Sequence, residues 1–493
     1  APGGRAQATS QDVAQKAQSA TPVFSPPAHS IAVLPFVNMS GDAKQDYFSD
    51  GISEELLNAL SRLNDLQVVA RTSSFAFKGK DVDVPTIARR LNVGAILEGS
   101  VRRAGNTVRI TAQLINTVTG FHLWSDTYDR PFTDIFKIQT EVATAVAQQL
   151  ETRLAGDEPI RLEVGGTKNP AAYEDFLQGL QALNLRTKAG FEQAIADFSS
   201  AVARDPRYAI AYAELARTYS LAPIFGISTP TETMPKARDA ATRALALNQD
   251  LADAHTALGF IMAHFEFDWP AAEREYLRGL ALNPSDAQGH FYYSNSYLSP
   301  FGRHEEAIAE MKKAAELDPL SPAIQAFMGR TYLWARRFDE ALAQFKKSND
   351  LNPNLAVGHE RLAHLYTYLG RFNDAIDEES TARRLSGEDP QMVRSREEAL
   401  RKALTADGGQ GYWRTLLDFA TVRPNPPEAY DDSYGIAIIY ARLGDQAKAI
   451  DSLESAYAER ELAMTEIGVE PAFDVLRSDA RFQGLLRRVG LAR

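Results

Sequence analysis

Eight histidines are the residues of this 493-residue chain whose type most readily suggests chemistry. A helical zinc pair needs two His at i and i+4 on one face. His359 and His364 are five apart, which takes them off a common face, and no H-E-x-x-H occurs. His255, His290 and His359 each take the fourth place in a recurring stretch of sequence, so a packing role is the expectation for all three. The chain has no Cys, which removes thiol nucleophiles, zinc–thiolate sites and iron–sulfur clusters. Val164-Gly-Gly-Thr-Lys168 and Phe77-Lys-Gly-Lys80 fail the phosphate-loop template, and no G-x-G-x-x-G or G-x-S-x-G follows a strand. No catalytic residue, cofactor site or metal site is therefore assigned, and the chain is expected not to be an enzyme. A net charge of -11 argues against a nucleic-acid-binding surface, since such surfaces need clustered Lys and Arg. Almost all of the excess acid falls beyond residue 155, on what read as solvent faces of helices.

The recurrence that places these histidines is a repeat. Asp205-Pro206, Asn283-Pro284, Asp318-Pro319 and Asn352-Pro353 mark its ends at a spacing of about 34 residues or twice that with an insertion, the period of tetratricopeptide helix pairs. The best-fitting unit starts at Pro322. It has Gly329 and Tyr332 in its first helix, Ala341, Phe345 and Ser348 in its second, and Pro353 as its stop. Small residues let the two helices approach, aromatic residues fill the gap between pairs, and Pro ends the second helix. Six units and a degenerate seventh are expected, with an insertion at 223–235 and an irregular helical stretch at 388–428. The terminal run from Glu470 reads as a cap on the last repeat.

Such an array offers a concave groove lined by its first helices. In the repeat register the inward positions are Arg217, Phe260, His264, Phe291, Asn295, Arg330, Trp334, Glu360, His364 and Tyr368. Aromatic and Arg side chains dominate binding hot spots, so these are the candidate contacts for a protein or peptide partner. The competing reading is that several of them pack against insertions or the neighbouring domain.

Upstream, Ile31–Phe36 is an apolar run of strand length. A helical stripe follows at Ile52, Leu56, Leu57, Leu60 and Leu63, capped at Ser49 or Asp50. A second strand at 66–70 and a short helix opened by Pro85 and closed by Asn92 or Gly94 continue a β-α-β-α order. Three alternating segments, with Ala104-Gly-Asn106 and Asn116–Gly120 as turns, read as an antiparallel meander. An apolar stripe from Ile135 to Leu154 closes the unit with a helix of about twenty residues. The fold class is thus an α/β domain, with a mixed sheet and packed helices, followed by an all-α tetratricopeptide-repeat solenoid.

The run SIAVLPFVNMSGDAKQDYFSDGISEELLNALSRL (30–63), then VVARTSSFAFKGK (68–80), LNVGAILEGSVRRAGNTVRITAQLINTVTGFHLWSDTYDR (91–130) and DIFKIQTEVATAVA (134–147), resembles the TolB-like domain. That domain is related to the amino-terminal domain of TolB and to the flagellar-envelope protein FlgO. The resemblance implies a place in bacterial signalling proteins, after a transmembrane helix with a CadC-like winged helix or a class III adenylate cyclase on the cytoplasmic side. Neither effector is in this sequence, so neither activity is carried over. It implies a periplasmic location, membrane contact only through an upstream anchor, and a sensory or scaffold role; a static envelope-assembly component is the rival. The expected organisation is a disordered linker (1–30), the TolB-like domain (31–155), a linker (156–169), repeats (170–387), the irregular segment (388–428), and a degenerate repeat with cap (429–493). The Ala/Gln/Ser/Pro-rich start without Met suggests a processed fragment.

Overall fold

The computed structural model describes residues 24–63, 65–150, 166–421 and 432–492. Of the two expected linkers, residues 1–23 and 156–165 lie outside the described residues, as does the end of the stripe at Leu154. The apolar run forms β1 (Ser30–Val33), buried along its whole length, with β2 (Val37–Asn38) just beyond it. α1 (Asp46–Leu60) precedes β3 (Gln67–Val68). α2 (Arg71–Phe75) and α3 (Val84–Leu91) lead to β4 (Ala95–Ala104), β5 (Thr107–Asn116), β6 (His122–Pro131) and α4 (Ile135–Gln149).

The sheet runs β3-β1-β4-β5-β6, with β2 pairing on β4. β1 is parallel to both its neighbours, and β4, β5 and β6 form the antiparallel meander. Ile52, Leu56 and Leu60 of α1 and Ile138, Val142 and Val146 of α4 share one core with Leu97, Val101, Val108 and Ile110. α3 contributes Ile87 and Leu91 to a second core with Ala32, Leu34 and Ile96. Gly99 is required on β4, because a Cβ there would stand 2.3 Å from the Thr111 carbonyl and 2.7 Å from the Phe36 ring.

Local chemistry sets the α3 ends as the sequence implies. The Asp83 carboxylate accepts the Thr86 N–H at 2.7 Å, Pro85 occupies the first turn, and Asn92 closes the helix at φ 55°. α1 starts earlier than Ser49, because Asp42 caps a short 3-10 turn at 43–45 that runs directly into it.

The array begins with α5 (Pro170–Asn184) and α6 (Lys188–Arg204), then α7 (Ala209–Leu221) and α8 (Pro230–Leu247). α9 (Ala252–Ile261) pairs with α10 (Trp269–Leu282), and α11 (Ala287–Tyr292) with α12 (His304–Leu317). α13 (Pro322–Trp334) with α14 (Phe338–Leu351), and α15 (Ala356–Tyr368) with α16 (Phe372–Leu385), complete six pairs among the described residues. α8 starts inside the expected insertion, at Pro230. There Thr229 and Glu232 form a capping box with Pro230 in the first turn, while Pro223 lies in a 3-10 turn (Ala222–Phe225) and Pro235 inside α8; residues 222–229 set this second helix back from α7, as expected. Of the 388–428 stretch, residues 422–428 lie outside the described residues; the rest holds α17 (Pro390–Thr421), which is helical but kinked at Asp407 and Gly408. α18 (Ser433–Leu443) and α19 (Gln446–Ala458) form the late pair, and two 3-10 turns (Leu462–Glu466, Pro471–Leu476) lead to α20 (Ala480–Val489). Gly329 shows why each pair closes: a Cβ there would lie 2.6 Å from the Phe345 ring.

The two parts are packed together. Glu54 on α1 accepts from Arg71 at 2.7 Å and from Asn184 on α5 at 3.3 Å, and Gln139 on α4 donates to the Tyr173 hydroxyl at 2.8 Å. The turns after α10 and α12 clasp the β3 side of the sheet. Ser285 donates to the Leu66 carbonyl at 3.0 Å; Asp318 accepts the Ser73 N–H at 3.0 Å and its hydroxyl at 2.6 Å.

Candidate functional site

All ten expected residues are buried or half-buried. Three of them, His264, Arg330 and Tyr368, meet the chain's own C-terminal segment. Arg460 donates to the Phe265 carbonyl at 3.2 Å, and the Leu462 carbonyl lies 3.0 Å from His264 Nδ1. Arg330 Nη1 donates to Glu466 at 2.9 Å, Arg336 Nη1 to the Val469 carbonyl at 2.9 Å, and the Tyr368 hydroxyl to Glu470. Contacts made in this order carry residues 460–470 along the groove from α9 to α15. Met464 and Ile467 are fully buried beneath them.

The ring geometry completes this surface. Phe260 stacks on His264 with centroids 4.2 Å apart, and Phe291 meets Phe327 at 4.3 Å. The Arg330 guanidinium lies 4.5 Å from the Trp334 ring, and its Nη2 donates to Asn295 Oδ1 at 3.2 Å. Arg442 of α18 sits 3.9 Å above the Tyr368 ring, beside which His364 is tilted at 5.0 Å. Glu360 is half-buried at the same helix.

Arg217 stands apart from this segment. It donates to Glu214 at 2.9 Å and to Gln288 at 3.2 Å, and lines a cavity of about 20 Å³, room for one water. A larger cavity of about 400 Å³ remains open between α12, α13 and the C-terminal segment, with Trp334, Arg336, Val469, Arg477 and Leu486 in its wall.

Burial sets the charge states here. It holds the His264 imidazole down at about 4, helped by the Arg330 charge and opposed by the Leu462 carbonyl, and it holds His364 at about 3 with Arg361 and Arg442 nearby. Both rings are neutral near pH 7. His264 then carries its proton on Nδ1, toward Leu462, and accepts from Ser296 at 2.9 Å on Nε2. Burial lowers Arg330 to about 10 against the pull of Glu466, leaving it charged. Burial also raises the Glu470 carboxyl, which the Tyr368 hydrogen bond opposes. His264, His364 and Arg330 thus titrate away from neutral pH.

The three fourth-position histidines are clamps. His255, His290 and His359 each place Nδ1 2.5–2.6 Å from a Glu of the following helix (Glu275, Glu310, Glu378) and Nε2 3.0–3.1 Å from the carbonyl six residues back. Each ties a turn to its own helix pair. Among the described residues no group of three or more His, Asp or Glu could hold a metal, and no helix is long and apolar enough to cross a membrane.

The register named His264, Arg330 and Tyr368 but not Arg336, Ser296 or the segment that meets them. The available signal was the apolar spacing of Leu462, Met464, Ile467 and Val469 beside Glu466 and Glu470, facing Arg-rich helices.

Comparison with known proteins bears on the same region. Two tetratricopeptide-repeat family models match residues 268–322 and 301–359. Putative adenylate cyclase 3 of Rhizobium meliloti (strain 1021) is 44% identical over 190 residues, covering 38% of this chain and 32% of that protein. The transcriptional regulator HilA of Salmonella typhimurium is 23% identical over 327 residues, covering 63% of this chain and 55% of that one. The chain thus spans between a third and somewhat over half of these two relatives. Among solved structures, PilF of Pseudomonas aeruginosa (22% identity, TM-score 0.34) and the type IV pilus biogenesis factor PilW (18%, 0.36) align over 45% and 46% of this chain, and over 95% and 99% of their own. With tetratricopeptide repeats matched at 268–359, the helical array is an all-α tetratricopeptide-like solenoid, and a mixed α/β domain precedes it.

Proposed function

We propose that this chain is a non-enzymatic protein-interaction and scaffold module, the periplasmic portion of a bacterial transmembrane signalling protein. The observation that carries the interaction reading is the groove's chemistry. His264 and Arg336 donate to main-chain carbonyls, at Leu462 and Val469, while Arg330 and Tyr368 take the acidic side chains between and beside them. Donors aimed at main-chain carbonyls are what holding a polypeptide segment demands. A partner enters at the 400 Å³ cavity beside Trp334, the stretch of groove its own segment leaves open.

The signalling reading is supported by the TolB-like resemblance of residues 30–147. It is also supported by two longer relatives, one named as an adenylate cyclase and one as a transcriptional regulator. Binding then acts upstream only through different affinities for two arrangements of the chain. A static envelope component would use the same surfaces without switching.

Two measurements test this. A labelled peptide of residues 459–477 should bind the chain carrying Glu466→Gln and Glu470→Gln, whose own segment is weakened, better than it binds the parent; equal binding, or none, removes the groove reading. Alkaline phosphatase fused after Arg493 of the full-length protein should be active in cells. An inactive fusion with a bright fluorescent-protein counterpart at the same place removes the periplasmic reading.

A further inference from the structure

The β5–β6 hairpin ends in a turn that is apolar on its outer side. Val118 is 61% exposed, Phe121 76% and Leu123 39%. The turn is rigid. Asn116 Oδ1 accepts the N–H groups of Val118 at 3.0 Å and Thr119 at 2.9 Å, and the Gly120 N–H donates to the Asn116 carbonyl at 2.8 Å, with Gly120 at φ 75°. Thr117 pins the turn to the sheet end, its N–H donating to the Gly94 carbonyl at 3.0 Å and its hydroxyl to Val93 at 2.7 Å. A fixed turn therefore holds these apolar side chains outward.

The place of the turn matters as much as its composition. The Gly94 N–H donates to Ser30 Oγ at 2.9 Å, and that hydroxyl donates to the Pro27 carbonyl at 2.6 Å. Residues 24–30, the first described stretch of the chain, thus reach the domain beside the turn. α3 ends at this same corner, and its last turn carries exposed Arg89 and Arg90. In the sheet, β1, β4 and β5 lie between β6 and the β3 edge that the turns after α10 and α12 meet.

We infer that the Val118–Leu123 turn is a membrane-contact site that enters the headgroup layer of an anionic bilayer beside the point where the chain is tethered. Val118, Phe121 and Leu123 supply the apolar contact, and Arg89 and Arg90 face lipid phosphates. Interfacial binding of this kind needs only a few apolar side chains with nearby cations. A stable protein interface needs about 800 Å² from each partner, more than a six-residue turn presents. The inference rests on the proposed tethering of the chain through its N-terminal side.

Because the chain has no Cys, Phe121→Cys accepts one environment-sensitive fluorophore without further changes. The labelled chain, held by an N-terminal histidine tag on vesicles of phosphatidylcholine and phosphatidylglycerol containing a nickel-chelating lipid, should shift its emission to shorter wavelength. The same label at Leu277→Cys, exposed on α10, should not shift, and Val118→Asp should remove the shift at position 121. An unshifted label at 121 on the tethered chain overturns the inference, as does an equal shift at 277. A label that is silent with lipid and shifts only with an added envelope protein also overturns it, in favour of protein docking. These outcomes are independent of the phosphatase assay: a cytoplasmic fusion result removes the tethering reading whatever the turn does, and a silent label removes only the lipid contact.

Discussion

Arg330→Ala is the sharpest test of the self-filled groove. The Arg330 side chain is 14% exposed and that of Glu466 17%, and their 2.9 Å contact joins α13 to the C-terminal segment. Removing Arg330 leaves Glu466 buried without its cation and strips the guanidinium from the Phe327 and Trp334 rings, 4.8 and 4.5 Å away. Breaking a buried pair from one side costs about 3 kcal/mol or more. At 1.4 kcal/mol per factor of ten, that is roughly a 150-fold rise in the opening of the segment. Glu466→Gln is milder, about 1 kcal/mol, because the amide still accepts a hydrogen bond and Arg330 keeps Asn295 and both rings. The reporters are the amides of Val469 and Glu470, both bonded to the Glu466 carbonyl at 3.0 and 2.9 Å, read by hydrogen exchange. Exchange there within twofold of the parent in Arg330→Ala would refute the reasoning. A larger effect from Glu466→Gln than from Arg330→Ala would refute it too, because it would put the energy elsewhere than in the stranded charge.

Three further perturbations follow from the packing. Gly329→Ala should lower stability by about 1–3 kcal/mol, since its Cβ would fall 2.6 Å from the Phe345 ring; urea unfolding followed by helical signal reads this, with Gly226→Ala, where nothing lies within 4 Å but φ is 63°, as the control for backbone strain alone. Asp318→Ala should loosen the α/β domain from the array, because the buried Ser73 N–H and hydroxyl lose their acceptor at about 1–3 kcal/mol; faster exchange at residues 70–77 with α13 unchanged checks it. Burial works against the His255 charge, but the bonds to Glu275 and the Gln249 carbonyl raise its pKa above the usual 6.5. Its contribution is then fully present below pH 6.5 and lost as pH rises through the raised value. Thermal scans across that window should show a smaller pH slope in His255→Gln than in the parent; an unchanged slope would remove the clamp's electrostatic role.

How far the sequence could be read depended on how local each cause was. The α3 ends follow from Asp83, Pro85 and Asn92, whose partners are within five residues, and the closure of the α13–α14 pair follows from Gly329 and Phe345, sixteen apart. The start of α1 was misplaced by a few residues. The cause there is also local, a 3-10 turn capped by Asp42, but Ser49 and Asp50 advertise the same capping chemistry and end up inside the helix. Inward positions could be named because each repeat restates the register, and three of them, His264, Arg330 and Tyr368, meet the C-terminal segment. Nothing restates the segment that fills the groove. Leu462 meets His264 across 198 residues and Glu466 meets Arg330 across 136, each contact occurring once, in a stretch with neither helical nor strand periodicity. Acidic side chains on such a stretch look like solvent-facing charge until the opposing surface is known. The clamps make the same point from the other side: identical in three repeats, they were correctly expected to pack, while the glutamates that complete them sit on helices where charge is ordinary. Periodic causes of the fold are thus visible in the sequence, whereas the groove's occupant, on which function turns, depends on contacts that only the folded chain brings together.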